Sequence, residues 1–149
     1  MPRVLFLCSG NYYRSRFAEL LFNALAQERN LPWTAESRGL TVDRSTNPGP
    51  ISPHVVVGLR LRGIEPPGEA IRRMPRLVTL EELARAERVI ALKEAEHRPV
   101  LAARFPGWED RVSYWHIHDL DQASAATALA QIHDRVQALL AALASGEGE

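Results

Sequence analysis

Near the start of the chain, residue types and spacing allow phosphate chemistry. Cys8 is followed by Ser9-Gly10-Asn11-Tyr12-Tyr13 and then by Arg14-Ser15, so a thiol and a guanidinium bracket a five-residue loop. A thiol attacks efficiently as its thiolate, which needs surroundings that favour negative charge. An arginine five residues on can return across the loop and grip two phosphate oxygens in a fork, a geometry lysine cannot supply. Ser15 is placed to donate a hydrogen bond to the sulfur and so help it leave in a second step. Gly10 and Asn11 tolerate the left-handed backbone that a tight anion nest requires. Ser9, Tyr12 and Tyr13 complete the phosphate-binding loop, with Tyr12 at its rim.

Such a loop works only at a strand-to-helix junction. Val4-Leu5-Phe6-Leu7 is too short for a helix and reads as a buried strand. After the loop, residues 14–29 carry Phe17, Leu20, Leu21, Ala24 and Leu25 at helical spacing. The loop then faces a helix N-terminus, whose free N–H groups attract an anion. Further on, strands are expected at Pro32–Leu40, Arg88–Leu92 and Arg111–Ile117. Ser52-Pro53 opens a helix that stops at Gly63, and Thr79-Leu80-Glu81-Glu82 is a capping box. Residues 65–75 read as a loop or a short turn. A helix runs to about Phe105, with Pro99 tolerated only in its first turn. Leu129, Ile132, Val136, Leu139, Leu140 and Leu143 mark a long closing helix, and residues 145–149 a flexible tail. Strands alternating with helices predict an α/β fold, a doubly wound parallel sheet with its ligand at the carboxyl ends of the strands. Cys8 lies at such an end.

A carboxyl group from another strand end is needed to protonate a leaving oxygen and then activate water. Asp119 and Asp121 follow the fourth strand, and either one, or Ser124, could instead cap the last helix. The segment Val4-Leu5-Phe6-Leu7-Cys8-Ser9-Gly10-Asn11-Tyr12-Tyr13-Arg14-Ser15 resembles the signature V-x-F-V-C-x-G-N-x-C-R-S-P of the low-molecular-weight protein tyrosine phosphatases. The resemblance implies a three-layer, flavodoxin-like fold with a four-stranded parallel sheet and a phosphocysteine intermediate. It also implies Cys8, Arg14 and Asp119 as catalytic residues, because Trp115-His116-Ile117-His118-Asp119 aligns with the segment that carries the family's acid. Leu120 stands where the family has proline. Tyr13 replaces the family's second loop cysteine, so oxidation of Cys8 has no intramolecular thiol to reverse it. Arg16 replaces the proline after Arg-Ser and puts a second guanidinium near the mouth. No tyrosine pair follows Asp119, which leaves phosphotyrosine as the substrate implied by resemblance alone. Arginine phosphatases share the loop but favour a small threonine where Tyr12 stands.

At 149 residues, 46% hydrophobic, the chain is expected to form one domain over residues 1–149. Eighteen basic and eighteen acidic residues cancel, which gives no bias toward nucleic acid. The opening apolar run is too short for a signal peptide or a membrane span. One cysteine excludes an intramolecular disulfide and suits a reducing cytoplasm. His116 and His118 have no third ligand at metal-binding spacing, so they read as neutral strand-end histidines, and no metal or organic cofactor is expected. Arg60, Arg62, Arg72, Arg73 and Arg76 read as a solvated basic face, available to an anionic protein substrate. The expected partners are a phosphorylated protein or aryl phosphate, with inorganic phosphate as product and no nucleic acid or membrane, for a monomer or weak dimer. Three other readings compete: arsenate reduction with an external thiol, a phosphocysteine carrier, and a phospho-ligand binding module without catalysis. The hydrolytic acid argues against the carrier.

Overall fold

Strand β1 (Arg3–Cys8) runs through the centre of the molecule because both of its faces find apolar cover. Val4, Phe6 and Cys8 enter one core, while Leu5 and Leu7, pointing the other way, enter a second. The computed structural model describes residues 2–146. β1 is flanked by β2 (Thr34–Gly39) and β3 (Arg88–Ala91), and β4 (Ser113–Tyr114) lies outside β3. The sheet has the order β2-β1-β3-β4, and every pairing is parallel. Cys8 lies beside Gly39 and Leu7 beside Ala91, so the three long strands end together.

Helices cover both faces. On one side pack α1 (Arg14–Glu28), α2 (Pro53–Arg60) and α6 (Ala125–Ala144), through Phe17, Leu21, Val55, Ile132 and Leu140. On the other side, α4 (Leu80–Arg85) contributes Leu83 and α5 (Glu94–Arg104) contributes Leu101. This is the expected three-layer α/β architecture. Phe6 is fully buried, with its ring centroid 6.1 Å from Phe22 and 5.5 Å from Trp115. Truncating it to alanine costs about 3–5 kcal/mol. Ser52 accepts from His54 N at 3.2 Å with Pro53 in the first turn, and Thr79 and Glu82 form the reciprocal capping box.

Four local expectations change. The fourth strand is shorter than residues 111–117, because Arg111 N bonds back to Trp108 O at 2.9 Å and Arg111–Val112 complete the turn that follows Trp108–Asp110. Beyond Tyr114 the chain still tracks β3, with Trp115 N donating to Ala91 O at 2.9 Å and Ile117 N to Leu92 O at 2.8 Å. Residues 65–75 contain a short helix, α3 (Gly68–Arg72). Pro99 lies inside α5, beyond its first turn; the start of that helix is pinned by His97 N bonding to Lys93 O at 2.9 Å. The arginines do not form one solvated face: Arg60 pairs with Glu65 at 2.8 Å, Arg62 lies over the Phe17 ring at 5.3 Å, and Arg73 turns inward. Ser145 N and Gly146 N bond back to Ala141 and Leu143, and the rest of the expected tail, residues 147–149, lies outside the described residues.

Candidate functional site

The loop 8–15 closes into a nest at the carboxyl edge of the sheet. Asn11 takes φ 52°, the left-handed conformation that turns the loop. Gly10 does not take the left-handed conformation, and a Cβ there would displace the end of the Asn47 side chain, whose Nδ2 would lie 2.6 Å away. Tyr13 precedes α1 without a side-chain cap, leaving the first N–H groups of the helix free for an anion. Cys8 Sγ lies 2.9 Å from Ser15 Oγ. Asn11 Nδ2 donates to that same Ser15 oxygen at 3.0 Å, so the serine proton is free to point at the sulfur. Asn11 is the hub behind the loop. Its Nδ2 also donates to Ser37 Oγ, and its Oδ1 accepts from Arg73 Nη1 at 3.1 Å and Arg76 N at 3.0 Å.

Arg14 is 2% exposed and aims its guanidinium across the loop. Nη1 donates to Ile117 O at 2.9 Å and to Glu96 Oε1 at 3.1 Å, and Nη2 donates to Glu96 Oε2 at 2.8 Å. Glu96 is a residue the sequence reading missed. It sits 82 positions away in the first turn of α5, just after β3, and no local motif marks it. Ser9 Oγ also donates to Glu96 Oε2, and His97 Nε2 lies 3.2 Å from the same oxygen. His97 Nδ1 accepts from Lys93 N at 3.1 Å, which places the imidazole proton on Nε2. Hydrogen bonds from His97, Arg14 and Ser9 hold the Glu96 carboxyl well below the usual carboxylate range, against the effect of burial. Burial pushes the His97 pKa down, so this imidazole is neutral at physiological pH. Burial alone would weaken the Arg14 charge, but the Glu96 hydrogen bond and the nearby acidic groups raise its pKa instead.

The mouth is a pocket of about 80 Å³ bordered by Cys8, Tyr12, Tyr13, Arg14, Asp119 and Leu120. Asp119 Oδ2 lies 3.5 Å from Arg14 Nη2, while Asp119 Oδ1 accepts from Leu120 N at 2.9 Å. Asp121 is exposed and does not border the pocket, and Ser124 caps α6 by accepting from Thr127 N at 3.2 Å. Tyr12 donates its hydroxyl to Pro48 O at 2.7 Å, so its ring bridges to the 43–50 loop. Tyr13 is 5% exposed and its hydroxyl has no partner among the described residues. Burial, reinforced by Asp119, pushes that phenol up to about 12. Arg16 does not reach the mouth. It is 1% exposed and donates to Pro50 O at 2.8 Å and Ala70 O at 2.7 Å, because the loop has carbonyls to satisfy beneath it. Burial, and then the neighbouring Arg73, lower its pKa to about 10. His116 and His118 face each other in a T-shaped contact at 4.9 Å, and no cluster of three metal-ligating side chains is present among the described residues.

Residues 3–146 match the family described as "Low molecular weight phosphotyrosine protein phosphatase". A protein-arginine-phosphatase of Bacillus subtilis (strain 168) is 31% identical over 109 residues, spanning 73% of this chain and 67% of that protein. The crystal structure of a YwlE mutant from Bacillus subtilis aligns over 100% of both chains with a TM-score of 0.73 at 24% identity. A low molecular weight protein tyrosine phosphatase from T. tengcongensis aligns over 98% of this chain and 99% of its own, with a TM-score of 0.74 at 23% identity. These two likenesses show a common fold.

Proposed function

The chain belongs to the low molecular weight phosphotyrosine protein phosphatase family and is a cysteine-dependent phosphatase, and from that premise we propose a two-step hydrolysis centred on Cys8. The Cys8 thiolate attacks phosphorus, and the bond from phosphorus to the leaving oxygen breaks. Arg14 and the N–H groups of Ser9, Gly10, Asn11, Tyr12, Tyr13 and Ser15 hold the charge that spreads over the equatorial oxygens. Asp119 gives its proton to the leaving oxygen, then takes one from the water that attacks the phosphocysteine. Phosphate departs, and the sulfur leaves as a thiolate that Ser15 receives with a hydrogen bond. The observation that carries this reading is the convergence of Cys8, Arg14 and Asp119 on one pocket, from the carboxyl ends of β1 and β4. Residues 1–149 act as one domain, as a monomer or weak dimer, on a phosphorylated protein in a reducing compartment such as the cytoplasm. No helix among the described residues is long and apolar enough to cross a membrane.

Phosphotyrosine is the proposed substrate class, with the Tyr12 ring supplying an aromatic wall at a mouth that Leu120 also edges. Phosphoarginine is the second reading, favoured by the 31% identical arginine phosphatase. Turnover of matched phosphotyrosine and phosphoarginine peptides by the wild type and by Tyr12→Thr separates them. The first reading expects a preference for phosphotyrosine that falls in the variant. The second is adopted if the wild type prefers phosphoarginine. Cys8→Ser is expected to hydrolyse neither while still binding phosphate, and a wild type that binds phosphate without turnover would leave a binding module.

A further inference from the structure

Behind the nucleophile loop lies an open groove of about 630 Å³, edged by Arg44, Arg72, Arg73 and Arg76 with Glu19 and Glu69. Its charges do not balance. Glu19 Oε1 is occupied by Arg73 Nη2 at 3.1 Å and by the Ser37 hydroxyl. Arg44, Arg72 and Arg76 have no acidic partner within salt-bridge distance among the described residues, which leaves Glu69 to face three guanidinium groups. Arg16 is buried next to the groove, donating to the O of its lining residue Ala70, and its Nε has no hydrogen-bond partner among the described residues. A buried cation held by carbonyls beside unpaired cations is a region of uncompensated positive potential.

We propose that this groove is a second anion site, distinct from the Cys8 pocket, and that it takes a ligand carrying two adjacent phosphoryl groups. One phosphate leaves part of the charge unmet, whereas a diphosphate presents its oxygens to Arg72 and Arg76 together in the fork geometry guanidinium favours. Inorganic pyrophosphate and a nucleoside diphosphate share that chemistry. Met74 and Pro75 in the same lining offer an apolar edge to a base. The site is wired to the nucleophile. Arg73 holds Asn11 Oδ1, Asn11 holds Ser15, and Ser15 meets Cys8 Sγ at 2.9 Å. An occupant that draws Arg73 toward the groove loosens the first link of this chain.

The test is calorimetric titration of the full chain with pyrophosphate and, separately, with adenosine diphosphate. The proteins are wild type, Arg14→Ala, Arg72→Ala/Arg76→Ala and Arg72→Lys/Arg76→Lys. Arg72 and Arg76 are exposed and lie outside the catalytic pocket, so the double variants keep wild-type thermal melting and basal aryl-phosphate turnover. Groove binding is expected to survive Arg14→Ala, to weaken at least 10-fold in the double alanine variant, and to recover partly with lysine. Tighter binding of adenosine diphosphate than of pyrophosphate assigns the nucleotide as the source, and the reverse assigns the inorganic ion. Binding that disappears in Arg14→Ala and is unchanged in the double alanine variant overturns the proposal, because the anion then sits only in the Cys8 loop. Failure of aryl-phosphate turnover would count against the catalytic reading and leave the groove result standing.

Discussion

Replacing Glu96 by glutamine tests whether a carboxylate outside the nucleophile loop sets the aim of Arg14. The two side chains share a bidentate pair, at 3.1 Å and 2.8 Å, with the guanidinium 2% and the carboxylate 31% exposed. Glutamine keeps the shape and one acceptor but turns an NH₂ group toward the guanidinium. Breaking a fully buried pair costs about 3–5 kcal/mol, and a charge-assisted hydrogen bond is worth about 1.5–3 kcal/mol. Because Glu96 is partly open to water and one bond survives, the expected loss of stability is about 2 kcal/mol. About 1.4 kcal/mol of that loss appearing in the transition state lowers kcat about tenfold. Because hydrogen bonds hold the folded-state pKa of Glu96 below its unfolded value, its stabilisation is complete above about pH 5 and is lost as the pH falls. The stability gap between wild type and variant is therefore flat from about pH 6 to 9 and narrows in acid. Steady-state kinetics on an aryl phosphate and urea unfolding across pH read both quantities. A variant that loses stability but keeps kcat, or that binds phosphate more tightly, refutes the reasoning. Tighter binding would mean that Glu96 competes with the substrate for Arg14.

Asp119→Asn is expected to lower kcat by about 100-fold or more on an unactivated phosphate, while Asp121→Asn changes it less than twofold; the opposite ranking in steady-state assays moves the acid to Asp121. Tyr13→Phe deletes a buried hydroxyl that has no partner among the described residues, so denaturant unfolding should show a stability unchanged or raised by up to about 1 kcal/mol, and a loss above about 1 kcal/mol contradicts the assignment. Asn11→Ala removes the partner of Ser15, Ser37, Arg73 and the Arg76 amide and forces alanine into φ 52°, for an expected loss of about 3 kcal/mol in thermal or urea unfolding.

The nucleophile loop was legible because its chemistry is local. A strand of four apolar residues, a turn that needs a left-handed residue, and a helix left uncapped are all set by neighbours in sequence. Asp119 and Asp121 were both within reach for a related reason, since they follow a strand and strand ends in a doubly wound sheet converge; the resemblance singled out Asp119, which is the one that borders the pocket. Glu96 was not within reach, because nothing around Lys93-Glu94-Ala95-Glu96 distinguishes a glutamate that clamps a distant arginine from one that begins a solvated helix. Arg16 misled in the opposite direction. A charged residue beside the mouth reads as exposed, but here the unsatisfied carbonyls of Asn11, Pro50 and Ala70 draw it inward. The short β4 has a local origin, because Arg111 and Val112, whose types suit a strand, close the turn after Trp108–Asp110 and leave only Ser113–Tyr114 in the ladder.

The clamp on Arg14 joins three stretches of chain: the loop after β1, the junction after β3, and the carbonyl of Ile117 beyond β4. During synthesis the sulfur therefore leaves the ribosome more than a hundred residues before the last partner of its guanidinium. A growing chain has a thiol but no anchored cation, and in the proposed mechanism chemistry that depends on both waits until the segment beyond β4 is in place. Activity is in this way a late report on folding. A product shortened before Ile117 would keep the whole nucleophile loop and remain catalytically silent.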